Sequence, residues 1–170
     1  MPKNILLTLL VLAVSLFIHI ALAADVKDST PDTRVMKLLK EADMHYMIDE
    51  DGDYKISFLG ESNHVQEVWV NSATSTFLNT EIRELWSVAY RSDKPFSAEV
   101  TETILKRSSI LIVGTWTIAR GGGKHLLVFR IRVPAKEMTK ESLSDLLHFT
   151  AVTADGVGRE MEKGKLWSPD

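Results

Sequence analysis

Apolar residues recur along this chain in two rhythms, one near 3.6 residues and one of two, so helices alternate with half-buried strands. Val35, Leu38, Leu39 and Ala42 stand at i, i+3, i+4 and i+7, which predicts a helix of about three turns with one apolar stripe. Thr30-Pro31-Asp32 reads as its start: a hydroxyl N-cap, proline in the first helical position and an acid near the positive end. The rhythm then shortens to two. His45–Asp49 and Tyr54–Leu59 read as strands, with Tyr54, Ile56 and Phe58 on one face and Asp51-Gly52 as a tight-hairpin signal between them. Val65–Val70 is a further strand, with Val68 and Val70 opposite Trp69. Asn71–Asn79 reads as a turn-rich connection.

Residues Glu81–Tyr90 fit both rhythms. As a strand they put Ile82, Trp86, Val88 and Tyr90 on one face, interrupted by Glu84; as a helix, Ile82, Leu85, Trp86 and Ala89 form a stripe. Aromatic and β-branched content favours the strand. Asp93-Lys94-Pro95 breaks the chain, and Ser97 caps a short helix to about Arg107, with Val100 and Ile104 inward. Ile110–Arg120 and Lys124–Val133 then form the clearest hairpin, closed by Gly121-Gly122-Gly123. The first half of the first run is expected to be buried on both faces. In the second, Leu127, Phe129, Ile131 and Val133 point inward while Arg130 and Arg132 point out. A slip of one residue would bury those arginines, so the register is well specified. After Pro134, Thr139 caps the longest helix, with Met138 and Leu143 as a hydrophobic staple. Leu143, Leu146, Leu147, Thr150, Ala154, Val157 and Met161 carry it through about six turns. Gly156 and Gly158 lie inside that stripe, and they mark either close approach of helix to sheet or a bend near residue 156.

The N-terminus follows neither rhythm. Lys3 precedes the apolar run Ile5–Ile18, and Ala21-Leu22-Ala23 ends it before Ala24-Asp25, the form of a secretory signal peptide cleaved after Ala23. An uncleaved anchor is the competing reading, because Ile5–Ala23 nearly spans a bilayer. The small-residue site and the polar stretch Asp25–Asp32 favour cleavage, export to a periplasm or beyond, and no stable membrane anchor afterwards. The 170-residue chain then divides into signal peptide 1–23, flexible lead-in 24–32, one domain over 33–162 and a frayed tail 163–170.

Composition narrows the chemistry. The whole chain carries 20 basic and 23 acidic residues, and loss of residues 1–23 changes its net charge from −3 to −4. That balance argues against nucleic acid as a partner. With no cysteine, disulfides, thiolate zinc sites, iron–sulfur clusters, cysteine nucleophiles and lipid-modified cysteines are excluded, so an exported domain must be held by packing alone. Asp49-Glu50-Asp51-Gly52-Asp53 fails as a calcium loop: counted from Asp49, glycine falls at position 4 and Gly60 stands where glutamate belongs. Gly121-Gly122-Gly123-Lys124 is followed by His125 and a strand, which is not a phosphate loop. His45, His64, His125 and His148 have no metal-ligand spacing, and no serine sits in a nucleophile elbow. No catalytic, metal or cofactor residue is therefore assigned, and no cofactor is expected. Trp116 reads as core. Trp69 and Trp86, with Tyr90, Arg83 and Arg91, are the candidate interaction surface; core packing is the ordinary alternative for the aromatics and a solvated charged fringe for the arginines.

The order of elements, together with Asp51-Gly52-Asp53-Tyr54, Arg83-Glu84-Leu85-Trp86-Ser87-Val88-Ala89-Tyr90-Arg91 and Gly114-Thr115-Trp116, resembles the YbjN-like family. That family is described as bacterial sensory transduction regulators with a fold like class I type III secretion chaperones. The resemblance spans about residues 33–162. It implies an α+β fold, a mainly antiparallel sheet with helices on one face, and a homodimer as an option. No catalytic residue comes with it, and the signal peptide sets this chain apart from cytoplasmic relatives. The leading expectation is an exported, non-enzymatic, chaperone-like or regulatory module that binds a protein partner. A periplasmic sensor holding a small ligand between the sheet and the long helix near Gly156 and Gly158 is the second, and a hydrolase the third.

Overall fold

Residues 30–60 and 64–166 are described by the computed structural model. The expected signal peptide, most of the lead-in and Trp167 lie outside the described residues. Along the rest the order is α1 (Thr33–Glu41), β1 (Met47–Ile48), β2 (Tyr54–Leu59), β3 (Val65–Val70), β4 (Ser75–Phe77), β5 (Thr80–Ser92), α2 (Ala98–Ser109), β6 (Thr115–Gly121), β7 (Lys124–Pro134) and α3 (Lys140–Glu162). This is an α+β fold. Its seven described strands pair antiparallel in the order β1-β2-β3-β5-β7-β6, with β4 added to one end of β5.

One face of the sheet is apolar and carries all three helices. Ile56, Val68, Val70, Leu85, Leu127, Phe129 and Ile131 form that face and are buried, and α3 lies across β3, β5 and β7. Val35 and Leu39 of α1 and Val100 and Ile104 of α2 complete the core. Thr139 caps α3 in a reciprocal pair with Ser142, and Ser97 caps α2 as expected. The β6–β7 hairpin turns on Gly122 and Gly123, whose φ values of 57° and 75° suit the two-residue turn that matches strand twist.

The two glycines of α3 do different things. Gly158 lies so close to the Ala89 carbonyl that a side chain would collide with it, whereas nothing stands within 4 Å of a side chain at Gly156. Ala89 is the extra residue of a β-bulge, because the β5–β7 register shifts between Val88 and Tyr90. Close approach of helix to sheet is thus the role of Gly158. Gly158→Ala is expected to lower stability by about 1–3 kcal/mol through displacement of backbone. Gly156→Ala is expected to raise it by up to about 1 kcal/mol through helix propensity. Urea unfolding of the two variants side by side reads the opposite signs.

Several local expectations are corrected. The N-cap of α1 is Asp32 rather than Thr30, because its carboxylate accepts from the Arg34 amide at 2.8 Å and is held there by two arginines; Pro31 stays outside the helix. The first strand shrinks to Met47–Ile48, since Asp49 Oδ1 takes the amides of Asp51 and Asp53 and widens the turn to five residues. Within the supposed connection, Ser75–Phe77 forms β4, and Leu78 accepts a φ of 53° in the turn. The first hairpin strand begins only at Thr115. Residues 110–114 follow α2 instead, which leaves Ile112 fully exposed rather than buried. The start of the tail is tied down: the Lys165 amide donates to Glu160 O at 2.9 Å, and Leu166 is buried.

Candidate functional site: the open face of the sheet

Among the described residues no helix covers the second face of the sheet. Strand register alone lines up a row across it: Met47, Lys55, Trp69, Trp86, Arg130 and Thr115, one residue from each of six strands. Trp69 and Trp86 stack with ring centroids 4.5 Å apart and planes 7° from parallel. The outer surfaces of this pair meet cations, Lys55 Nζ lying 6.0 Å from the Trp69 ring and the Arg130 guanidinium 6.0 Å from that of Trp86. Stacking contributes about 0.5–1.5 kcal/mol beyond area, and each cation–π contact about 0.5–1 kcal/mol. The ladder therefore holds its rings rigid, with their edges toward solvent.

Polar bonds fix the ladder further. Trp86 Nε1 donates to Asn71 Oδ1 at 2.7 Å, and Arg130 Nε donates to Thr117 Oγ1 at 3.0 Å. Glu84 sits between Arg130 and Arg132, with one carboxylate oxygen for each, and Lys55 pairs with Glu67 at 2.8 Å. Beside Trp86, β4 and the turn before it border a groove of about 650 Å³, lined by Thr74, Phe77, Ile82, Glu84 and Arg132. Aromatic edges, arginines and a shallow groove are the materials of a contact surface.

Of the five residues expected on the interaction surface, Trp69 and Trp86 come together here. Arg83 does not; it is 2% exposed on the opposite, core side. Its Nη1 donates to Asn71 O at 2.5 Å and Ser72 O at 2.9 Å, and its Nη2 pairs with Asp32. Neither is it a solvated fringe. It ties the cap of α1 to the corner after β3, and Asn71, which takes Arg83 on its carbonyl and Trp86 on its side chain, joins this buried knot to the open face. Tyr90 is also on the other side, because the bulge at Ala89 turns it toward Leu127 and Phe96. Arg91, beyond the bulge, stands at the mouth of a cleft under α3.

Sequence reasoning missed Asn71, Glu84, Arg130 and Arg132 as parts of this surface. The signal was present for the arginines, whose outward alternation in β7 was legible; their meeting with Glu84 and Trp86 depends on non-local register. Among the described residues no group of three or more His, Asp or Glu is placed to hold a metal ion, and no helix is long and apolar enough to cross a membrane. No family model and no curated protein matches the chain.

Proposed function

We propose that this chain is an exported, non-enzymatic interaction module of YbjN-like, chaperone-like type whose open sheet face receives an extended stretch of a protein partner. The observation that carries this reading is the stacked Trp69–Trp86 pair, held by Asn71, Lys55 and Arg130 at the centre of an uncovered face. A rigid aromatic pair loses little conformational freedom on binding, and its exposed edges offer apolar contact with few rotamers to freeze. The adjoining groove beside β4 has both apolar and charged walls, which suits alternating side chains of a polypeptide in extended form.

Capture of a partner from an envelope extract by the chain lacking residues 1–23 tests the reading. A specific protein is expected on the wild type, with retention reduced at least about tenfold on Trp69→Ala/Trp86→Ala. Equal retention on the double variant, or no retained protein on the wild type, overturns it. Circular dichroism of the variant guards against a fold defect.

A further inference from the structure

A second site lies on the other side of the sheet, independent of the tryptophan face. Where β2 ends, β3 begins and β5 bulges, the second half of α3 leaves two adjoining chambers of about 260 and 310 Å³. Asp155 belongs to the walls of both. It is 6% exposed, and its Oδ2 forms an ion pair with Arg159 Nε at 3.0 Å. Its Oδ1 is shut beneath Gly60 and accepts no hydrogen bond. Gly60 leaves only just that room, since a side chain there would begin 2.9 Å from the oxygen.

Two other carboxylates of the described fold are satisfied on both sides. Asp32 takes both Arg34 and Arg83, and Glu84 takes both Arg130 and Arg132. Asp155 has Arg159 on one oxygen and no donor on the other, a buried acceptor whose desolvation is uncompensated. The last torsion of an aspartate is soft, so a small turn of the carboxylate carries Oδ1 from beneath Gly60 into a chamber. The larger chamber is apolar on its far side, where Phe58, Ala151 and Val152 stand, with His148 packed edge-on against Phe58. A pocket with one apolar side and an unsatisfied acceptor buried in its wall has the materials of a small-molecule site.

From this geometry we infer that the cleft binds a small primary amine, with its ammonium on Asp155 and a short alkyl body between Phe58 and Val152. An N–H donor of positive charge makes the strongest hydrogen bond to a carboxylate oxygen, and Arg159, which lines both chambers, is held on the other oxygen of Asp155. The site is separate from the proposed partner surface, so either can fail without the other.

The test is a titration of the wild-type chain with n-butylammonium, followed by amide NMR, with butyrate as the anionic control. Gly60 and Gly158 report from the cleft, and Gly122 and Gly123 at the hairpin tip serve as distant references. Butylammonium is expected to shift Gly60 and Gly158 saturably and leave the hairpin tip unmoved, while butyrate shifts neither. Asp155→Asn, which keeps the shape, is expected to weaken binding at least about tenfold. Val152→Trp, an exposed position whose enlargement fills the chamber, is expected to weaken it while Asp155 stays in place. No shift at the two cleft glycines, equal shifts with butyrate, equal shifts at the hairpin tip, or an unchanged Asp155→Asn variant would each overturn the assignment.

Discussion

Replacement of Arg83 by alanine is expected to lower folding stability by about 3 kcal/mol or more, the largest effect of any single charged residue in this fold. The guanidinium is buried and makes three hydrogen bonds, to Asn71 O, Ser72 O and Asp32. Its removal leaves two carbonyls without their donor, at a cost of about 1–3 kcal/mol each before relaxation. It also withdraws one of the two cations from a carboxylate that is itself only 12% exposed. Arg83→Met, similar in length and apolar, is expected to recover little, since shape is not what is lost. The contrast is Arg132, 63% exposed and paired with Glu84 at 2.7 Å, where alanine is expected to cost less than about 1 kcal/mol. Chemical denaturation of the three variants separates these cases, and equal losses at Arg83 and Arg132 would contradict the account. Asn71 lies between Arg83 and Trp86, so the Arg83 variants are also expected to change the fluorescence of the tryptophan pair before global unfolding.

Acidification should weaken the same corner. Burial pushes the Asp32 carboxyl upward, but hydrogen bonds from Arg34 and Arg83 outweigh it and hold the group at about 2 rather than 3.8. Hydrogen bonds from Arg34 and Thr74 hold Glu81 at about 2 rather than 4.5. Both carboxylates titrate lower in the folded chain than in the unfolded one, so the unfolded chain binds more protons in the interval between. Stability from these groups is therefore fully present above about pH 5 and is lost as the pH falls toward 2, by about 2 kcal/mol for Asp32 and by less for Glu81, whose partner Arg34 is half exposed and screened by solvent. The losses are not independent, because Arg34 bridges both carboxylates at 2.6 Å. Urea midpoints measured across that range should fall with pH, and Glu81→Gln should flatten the fall. A midpoint independent of pH, or a variant as acid-sensitive as the parent, would contradict this account.

Most elements were legible in the sequence because each rests on a local signal. The 3.6-residue stripe of Leu143, Leu147, Thr150, Ala154, Val157 and Met161 is α3, and the alternation Leu127, Phe129, Ile131 is β7. Local competition explains several misses. Asp32 outcompeted Thr30 as the cap because Arg34 and Arg83 converge on it, and the Arg83 contact, 51 residues away, is not visible in a window of a few residues. Ile110–Val113 has strand composition, but α2 runs on to Ser109 and Gly114, at φ 90°, delays the turn into β6.

What the sequence by itself determined is thus the fold class, the helix stripes and the alternation within each long strand, all of which depend on residues a few positions apart. Only the tertiary structure decided which alternating face of β5 would meet the helices. Ile82, Trp86 and Val88 are the more apolar set, yet they face outward with Glu84, and Arg83, Leu85 and Ser87 face the core. Antiparallel pairing explains that choice, since Leu85 opposite Ile131 and Ser87 opposite Phe129 must share the face that α3 covers. Arg83 then goes inward by parity, where Asp32 and two carbonyls meet it. By the same parity Trp86 goes outward to stack on Trp69.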